Sequence, residues 1–293
     1  MTYLMSETST TETILVTGAT GKIGRRLVEV LHADGRNVRA VSRHTEIPFD
    51  WTDPSTWDAA LDGVTAVYVI PPDHPFPADE FVATAVRSGV RRLVSQSGRR
   101  IEELSALAGI GHEVIGMHAA QVAVQASGIE WTVLQANNFN ENFSEGDYLP
   151  AVLSGDVALP LAGTTEPLIA ADDIAAAAAA VLTRDGHAGK VYEITGPESL
   201  SMDDAVAAIA AASGKAVSFR AESPEEHDAA MRAAGLPEEL VGFLNIMYQF
   251  MRNGTMAEAT GDVKQILGRD PIRFADWAVD TAKTGVWTDA PDA

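Results

Sequence analysis

Three glycines spaced three residues apart separate an apolar segment from an amphipathic one near the start of the chain. They are Gly18, Gly21 and Gly24, within the stretch TILVTGATGKIGRRLVEVL at residues 13–31. A strand followed by a glycine-rich turn and a helix presents backbone N–H groups at the helix N-terminus to a phosphate. We predict that Gly18 permits the tight turn, that Gly21 lets a phosphate approach the backbone, and that Gly24 lets the helix pack closely on the strand.

The segments that follow alternate between strand and helix patterns, which is typical of a doubly wound parallel sheet. The predicted strands are Ile14–Thr17, Asn37–Val41, Pro48–Asp50, Ala66–Ile70, Arg92–Ser95, Trp131–Gln135 and Val191–Thr195. The predicted helices are Ile23–Ala33, Asp79–Ser88, Glu113–Ala126, Ile174–Leu182 and one that Ser201 and Asp204 begin with a capping box. The sequence therefore predicts an α/β fold with a flexible tail at 1–12, a dinucleotide-binding domain at 13–196, and a smaller, mainly helical, substrate-binding lobe at 197–293.

Composition excludes several other classes of protein. The chain has 41 Asp and Glu against 21 Lys and Arg, a formal net charge of −20, so its surface repels nucleic acids and anionic lipids. It has no cysteine, which excludes disulfides and thiolate chemistry. The N-terminus does not resemble a secretion signal, and no apolar run approaches the ~20 residues of a bilayer span. We expect a soluble, cytoplasmic protein without nucleic-acid or membrane partners, and its oligomeric state stays open.

The end of the second predicted strand favours NADP(H) over NAD(H). Sites that prefer NAD usually place Asp or Glu there, about 20 residues beyond the glycines, to bind the ribose 2′-hydroxyl. This chain has Ser42 and Arg43 instead, and a guanidinium suits a 2′-phosphate. The alternative is that Arg43 is a solvated loop residue. Asp50 and Trp51 are candidates for contacts with the adenine, with a turn cap and core packing as their alternative roles.

The other predicted cofactor contacts come from the phosphate turn and from the ends of two later strands. In the turn, the residues between and beside the glycines are Ala19, Thr20, Lys22 and Ile23. At the strand ends, the candidates are Ile70, Pro71, Ser95 and Gln96. A second proline follows Pro71, and the pair should prevent a helix there and leave an open loop over the cofactor.

Several segments together resemble a known family. They are TGATGKIG, RRLVSQSG, SGIEWTVLQANNFNENF and AGKVYEITGPESLS. From about residue 13 to residue 282 the chain resembles the NmrA-like branch of the atypical short-chain dehydrogenases/reductases. The segment FDWTDPSTWDAAL is most similar to the subgroup that contains festuclavine synthase and agroclavine dehydrogenase. The resemblance implies a Rossmann-like domain, NADP(H) in its cleft and a small C-terminal lobe that closes over a small-molecule substrate.

The chain departs from the pattern by which many short-chain dehydrogenases transfer a proton. Their Tyr-x-x-x-Lys pair is absent, because none of the five tyrosines is followed by lysine four residues later. The helix that would carry the pair offers His118, which could titrate near neutral pH as a catalytic acid or could be a structural residue. No histidine spacing forms a metal motif, and we expect His112 and His118 on different helix faces. We therefore predict no metal site.

A second departure lies beside the expected nicotinamide position. Leu134-Gln-Ala136 stands where the family commonly has Leu-Arg-Pro, and we expect this change to reshape the wall of the pocket. The predicted substrate-binding residues are Asn137, Asn138 and Phe139, joined by Phe243 and Met247 from the second lobe. Phe143 and Phe250 are further apolar candidates for the same pocket.

Two classes of function remain open at this point. The first is an NADPH-dependent oxidoreductase that reduces a bulky, mostly apolar small molecule at a C=O, C=N or polarised C=C bond, as in secondary metabolism. The second is a non-catalytic protein that senses NADP(H) and acts through a protein partner. A smaller third alternative is redox-neutral chemistry with a retained cofactor. An open apolar pocket over the nicotinamide would favour the enzyme, and a filled cleft would favour the sensor.

Overall fold

A parallel sheet of six strands forms the centre of the computed structural model, which describes residues 12–288. The strands of the protein are β1 Thr13–Val16, β2 Asn37–Ala40, β3 Ala66–Val69, β4 Arg92–Gly98, β5 Glu130–Ala136, β6 Asp156–Leu159, β7 Thr165–Glu166, β8 Lys190–Ile194, β9 Leu200–Ser201 and β10 Ser218–Ala221. The central sheet has the order β2-β1-β3-β4-β5-β8, and every neighbouring pair within it is parallel. The order reverses between β1 and β3, which is the position where doubly wound sheets bind ligands.

Helices cover both faces of this sheet. They are α1 Lys22–Ala33, α2 Trp57–Leu61, α3 Ala78–Arg87, α4 Ile101–Ala108, α5 Gly116–Gln125, α6 Leu149–Ser154, α7 Ala171–Thr183, α8 Met202–Ser213, α9 Pro224–Ala233, α10 Glu238–Arg252, α11 Asp262–Leu267 and α12 Phe274–Ala282. One face packs against α1, α7 and α11, and the other against α2, α3 and α5. The predicted Rossmann-like fold with a helical C-terminal segment is confirmed.

Successive side chains along each strand point to opposite faces of the sheet, and both faces are apolar and covered by helices. Leu15 and Val67 point to the face that α3 and α5 cover, whereas Val16 and Val94 point to the face that α1 and α7 cover. Because successive strand residues point to opposite faces, a parallel sheet covered on both sides reads as a nearly continuous apolar run. These strands therefore position their carboxyl ends, and the loops that follow them, along one edge.

A second core fills the smaller lobe. It joins residues from the middle of the chain, such as Phe143 and Val157, to C-terminal residues such as Met202 and Trp277. Two small sheets connect the same regions, since β6 pairs with β10 and β7 pairs with β9. The smaller core thus draws on residues before and after position 196. The predicted cap of α8 is confirmed, because the Asp204 N–H donates to the Ser201 hydroxyl at 3.1 Å.

Two predicted elements differ from the structure. The strand predicted at Pro48–Asp50 is wrong, because only an isolated bridge joins Pro48 to Ser42, and proline has no N–H with which to extend a ladder. The helix predicted from Glu113 begins at Gly116, after a 3-10 turn at His112–Val114. Gly116 packs so tightly that a Cβ atom there would lie 1.9 Å from the carbonyl oxygen of Pro72.

Two further predictions concern the chain ends and membranes. The predicted tail lies outside the described residues, except for Glu12, which forms an ion pair with Arg91 at 3.5 Å. Within residues 12–288, no helix combines the length and the apolar character that crossing a bilayer requires.

Candidate cofactor and substrate site

The phosphate turn has the geometry that its glycines predict. Gly18 has a φ of +59°, a left-handed conformation that favours glycine. A Cβ atom on Gly24 would lie 2.2 Å from the carbonyl oxygen of Gly18, so this position requires glycine for close packing. A Cβ atom on Gly21 would meet only that same oxygen, at 3.3 Å, and would otherwise enter open space. The first turn of α1 has no acidic residue and no side-chain cap, which leaves its N–H groups to a ligand.

A cavity of about 590 Å³ lies beside this turn, at the carboxyl ends of β1, β2 and β3. The predicted cofactor residues that line it are Gly18, Thr20, Gly21, Ser42, Arg43, Asp50, Trp51, Ile70 and Pro71. The other lining residues are Phe49, Thr52 and His74, which the sequence analysis missed, and Pro72, which it expected in the loop over the cofactor. Phe49, Thr52 and His74 each lie within a few residues of a predicted contact. They could have been predicted as further residues of the loops that follow the strand ends.

Arg43 and Asp50 offer opposite charges to this cavity. The Arg43 side chain is exposed and forms no ion pair or hydrogen bond within residues 12–288. The Asp50 carboxylate accepts hydrogen bonds from the N–H and the hydroxyl of Thr52, both at 2.8 Å, which lower the pKa of Asp50. Asp50 therefore caps a turn while it lines the cavity. Trp51 packs edge-on against Phe76, with ring centroids 4.7 Å apart.

Other predicted cofactor residues lie beneath the cavity surface. Ala19, Ile23 and Gly24 are buried where α1 packs on the sheet. Ser95 is fully buried, and its hydroxyl donates to the carbonyl oxygen of Gln96 at 3.3 Å. The Gln96 side chain is also buried and accepts a hydrogen bond from the Tyr68 hydroxyl at 2.5 Å. These two side chains stabilise the sheet interior, so their contact with a cofactor stays a prediction.

The loop after β5 is attached to the first turns of α1. Lys22 donates to the Asn142 side chain at 3.3 Å, and Arg26 forms an ion pair with Glu145 at 2.8 Å. Arg25 forms a second ion pair with Glu145. A Cβ atom on Gly146 would lie 2.7 Å from the Lys22 ammonium. The N-terminal part of α1 and the loop after β5 are therefore in direct contact.

His118 lies between two helices. Its Nδ1 atom hydrogen-bonds the Ser105 hydroxyl of α4 at 2.8 Å, and burial lowers the pKa of the imidazole. The ring of His112 is 5.9 Å away, so these two histidines are neighbours, contrary to the expectation that they face apart. Within the described residues, no cluster of His, Asp and Glu side chains is arranged to hold a metal ion. The hydrogen bond gives His118 a structural partner, and its catalytic role stays a prediction.

The glutamine that replaces the family arginine belongs to a polar cluster on the α5 side of the sheet. Gln135 donates to Gln121 at 3.1 Å and to Glu102 at 3.1 Å. Gln121 is also hydrogen-bonded to Glu102. The cluster joins β5 to α4 and α5, so the side chain of Gln135 stabilises helix packing at this position.

The asparagines after β5 belong to a buried polar cluster. The Asn138 amide donates to a carboxylate oxygen of Glu166 at 2.5 Å. Burial raises the pKa of Glu166 to about 7, although the neighbouring side chains of Asn138 and Asn137 and the charge of Arg99 oppose the shift. The other oxygen of Glu166 and both polar side-chain atoms of Asn137 are buried and lack a hydrogen-bond partner of normal geometry within residues 12–288. The sequence analysis missed Glu166.

The predicted apolar substrate residues are divided among several clusters. Phe139 packs on the sheet core beside α7, Phe243 packs against α4, and Met247 packs on the smaller core. All three side chains are half-buried. Phe143 and Phe250 are buried, so they stabilise the lobe.

Residues 18–185 match the family of proteins described as NAD(P)H-binding. The chain is 32% identical to the NAD(P)H azoreductase of Xenophilus azovorans, over 90% of this chain and 96% of that one. It is 31% identical to the (4-alkanoyl-5-oxo-2,5-dihydrofuran-3-yl)methyl phosphate reductase of Streptomyces griseus, over 92% of this chain and 98% of that one.

Two further comparisons bear on the expected resemblance and on the fold. The chain is 28% identical to festuclavine dehydrogenase of Aspergillus fumigatus, over 91% of this chain and 96% of that one, so the resemblance is confirmed at modest identity. The fold is similar to that of the Escherichia coli NADPH-dependent quinone oxidoreductase complexed with NADPH. That comparison has a TM-score of 0.76 and 22% identity, over 91% of this chain and 99% of that one.

Proposed function

Because this chain belongs to the NAD(P)H-binding family, we propose that it is an NADPH-dependent oxidoreductase that reduces a bulky, mostly apolar small molecule. The observation that carries the proposal is the cavity of about 590 Å³ at the switch point of the sheet, bounded by the glycine turn and by Arg43. Relatives that match over nearly the whole chain are named as reductases, which supports the same class of activity.

The residues around the cavity fit the parts of such a cofactor. The open position at Gly21 and the free N–H groups of α1 suit the pyrophosphate. Arg43 suits a 2′-phosphate, since its guanidinium is exposed in the cavity wall. The bound nicotinamide would supply hydride, and the protein would orient the acceptor and supply a proton where one is needed.

The polar and apolar side chains around the end of β5 support a substrate with a reducible polar group on an apolar body. Asn137, Asn138 and Glu166 offer hydrogen-bonding atoms, and Phe139, Phe243 and Met247 offer apolar surface. This combination suits a ketone, enone, quinone or imine. The absence of a Tyr-x-x-x-Lys pair means that another group must protonate those substrates that require it.

The proposal is tested by cofactor binding and by turnover with a substrate panel. We expect NADPH oxidation with at least one quinone, enone, apolar ketone or cyclic imine. The decrease in the absorbance of NADPH measures this oxidation. Calorimetry should show tighter binding of NADPH than of NADH, and Arg43→Ala should narrow that difference by about 10- to 100-fold. The loss corresponds to a charge-assisted contact of roughly 1.5–3 kcal/mol.

Arg36→Ala is the matched control, because Arg36 is also exposed but lies in the turn before β2, at the amino end of the strands. It should leave both affinities unchanged. Tight NADP(H) binding without oxidation of any substrate in the panel would instead support the sensor. Equal affinity for both dinucleotides in the unmodified protein would show that Arg43 is a solvated loop residue.

A further inference from the structure

Two chain segments run side by side at the carboxyl edge of the sheet and bring Glu166 to the end of β5. The Ile169 N–H donates to the carbonyl oxygen of Asn138 at 3.0 Å, and the Asn140 N–H donates to that of Ile169 at 2.9 Å. The Asn137 N–H donates to Ile194 at the end of β8, at 3.1 Å. Ligands of doubly wound folds bind at this edge, so Glu166 lies on the side of the sheet where the acceptor must be reduced.

Glu166 and Asn137 both retain unused hydrogen-bonding capacity in the protein interior. Glu166 is 0% exposed and Asn137 is 1% exposed. One carboxylate oxygen of Glu166 and the whole amide group of Asn137 lack a partner of normal geometry within residues 12–288, although the two side chains lie close enough for Asn137 to lower the pKa of Glu166. A buried polar atom without a partner costs roughly 1–3 kcal/mol. Such buried atoms are usually found where a ligand or a water molecule supplies the missing hydrogen bond. This pair therefore indicates a binding position for a polar group.

The surroundings of Glu166 favour a carboxyl group that holds a proton near neutral pH. Burial is the largest effect, and it raises the pKa of Glu166 to about 7. Arg99, which follows β4, is the positive charge that opposes this shift. Tyr148 also interacts with Glu166, and burial raises the pKa of the Tyr148 hydroxyl well above its usual value. The Tyr148 hydroxyl is hydrogen-bonded to that of Tyr248 in α10.

We propose that Glu166 donates the proton when the substrate is reduced, and that Asn137 hydrogen-bonds the same polar atom of the substrate. This inference rests on the proposed reductase function. In the reduction, the acceptor carbon would gain a hydride from the reduced dinucleotide, which would thereby become oxidised, and the acceptor oxygen or nitrogen would gain the proton of Glu166. Glu166 becomes a carboxylate, held by the Asn138 amide and facing the charge of Arg99, and it regains a proton from water.

The alternative acids are less suitable. His118 is committed to Ser105, and burial lowers its pKa, so a smaller fraction of it is protonated at neutral pH. Burial raises the pKa of Tyr148 and of Tyr248, and neither tyrosine is followed by lysine four residues later. Glu166 holds a proton near neutral pH and has one oxygen without a hydrogen bond of normal geometry within residues 12–288.

Glu166→Gln keeps the size of the side chain and removes the proton. With a ketone or enone substrate we expect turnover to fall by about 10²–10⁴-fold. In the unmodified protein, turnover with the same substrate should fall as pH rises through about 7, and this dependence should be absent from the variant. An N-alkylated cyclic iminium needs hydride but no proton, so Glu166→Gln should reduce it at the rate of the unmodified protein.

Glu222→Gln is the matched control, because Glu222 is a half-buried carboxylate that binds His227 at 2.9 Å in the same lobe. It should leave turnover and the pH profile unchanged. A second readout is independent of turnover. In protein carrying ¹³C-labelled glutamate, one carboxyl resonance should titrate near pH 7 and should be missing from Glu166→Gln.

The outcomes separate the inference from the proposed function. Full ketone or enone turnover by Glu166→Gln, or an unchanged pH profile in that variant, would overturn the role of Glu166 and leave the reductase intact. A Glu166 resonance that titrates near the ordinary range of glutamate would do the same. If the unmodified protein oxidises NADPH with no substrate of either kind, the proposed function fails and the inference fails with it.

Discussion

Gly21 and Gly24 are one helical turn apart, yet an added methyl group would meet different surroundings at each. At Gly24 it would overlap the backbone of Gly18 and Ala19, at 2.2 and 2.7 Å, so Gly24→Ala should destabilise the fold by about 1–3 kcal/mol or more. At Gly21 it would enter the space where we propose that a phosphate binds. Gly21→Ala should therefore change stability by less than about 1 kcal/mol but weaken NADPH binding at least about tenfold.

Urea unfolding and calorimetry on this matched pair separate the two roles. Each variant is the control for the other, because the same methyl group is added to the same turn. Unchanged NADPH affinity in Gly21→Ala would remove the phosphate site from this turn. A Gly24→Ala protein as stable as the unmodified one would show that the helix can move away from the strand.

At the same scale, the residues that could be predicted from sequence are those whose role is local. The need for glycine at Gly18 follows from a turn between adjacent elements, so its spacing in the sequence suffices. Glu166 gives no such signal, because it lies in the polar stretch GTTEPL, which resembles an exposed turn. Its burial depends on segments near residues 99, 138 and 148 that meet only after folding.

At the scale of elements, Glu141 connects the 3-10 turn at Asn140–Phe143 to two helices. Its carboxylate accepts the Ala171 N–H at the start of α7, at 2.8 Å, and the indole N–H of Trp277 in α12, at 3.0 Å. A carboxylate at a helix N-terminus also interacts favourably with the helix dipole. In Glu141→Gln one donor would face an amide N–H, so we expect a loss of about 1–3 kcal/mol in the free energy of unfolding.

Urea unfolding measures this loss, and Glu198→Gln supplies the control. Glu198 pairs with Arg273 at 3.2 Å on the surface, and such a pair contributes roughly 0–1 kcal/mol. If Glu141→Gln were no less stable than Glu198→Gln, the two helices would be held by apolar packing alone.

Elements with a strong apolar pattern were predictable, and those decided by a neighbouring backbone were not. β3 and β5 follow from runs of buried apolar and β-branched residues. The start of α5 depends on the carbonyl group of Pro72, which excludes a side chain at Gly116. Nothing between residues 113 and 126 contains that information. The bridge between Ser42 and Pro48 is a different case, because the proline that cannot extend it was visible in the sequence.

For the whole molecule, Glu166 predicts a pH dependence of stability. Its folded pKa of about 7 is above the unfolded value, so the folded state retains a proton that the unfolded chain releases. The contribution of Glu166 to stability is therefore fully present at acidic pH and is lost as pH rises towards 7. A difference of between two and three pKa units corresponds to about 3 kcal/mol.

The free energy of unfolding of Glu166→Gln, relative to that of the unmodified protein, should therefore rise by about 3 kcal/mol between pH 4 and pH 8. Comparing the two proteins cancels the contributions of the other carboxylates to the pH dependence of stability. Glu145 and Asp204 are examples, because their pKa values are lowered and their contributions have the opposite sign. Urea midpoints across this range provide the measurement. Parallel curves would mean that the carboxyl group titrates alike in the folded and unfolded states.

The contact between the first turns of α1 and the loop after β5 couples the proposed dinucleotide site to the proposed substrate site. Lys22, Arg25 and Arg26 bind Asn142 and Glu145. A phosphate that orders the N-terminus of α1, or adds negative charge there, would therefore also change the position or the mobility of the loop. By linkage, any factor by which the dinucleotide changes affinity for the substrate is the factor by which the substrate changes affinity for the dinucleotide. We therefore expect the two ligands to bind cooperatively. Replacement of the oxidised dinucleotide by a reduced one would then depend on dissociation of the product.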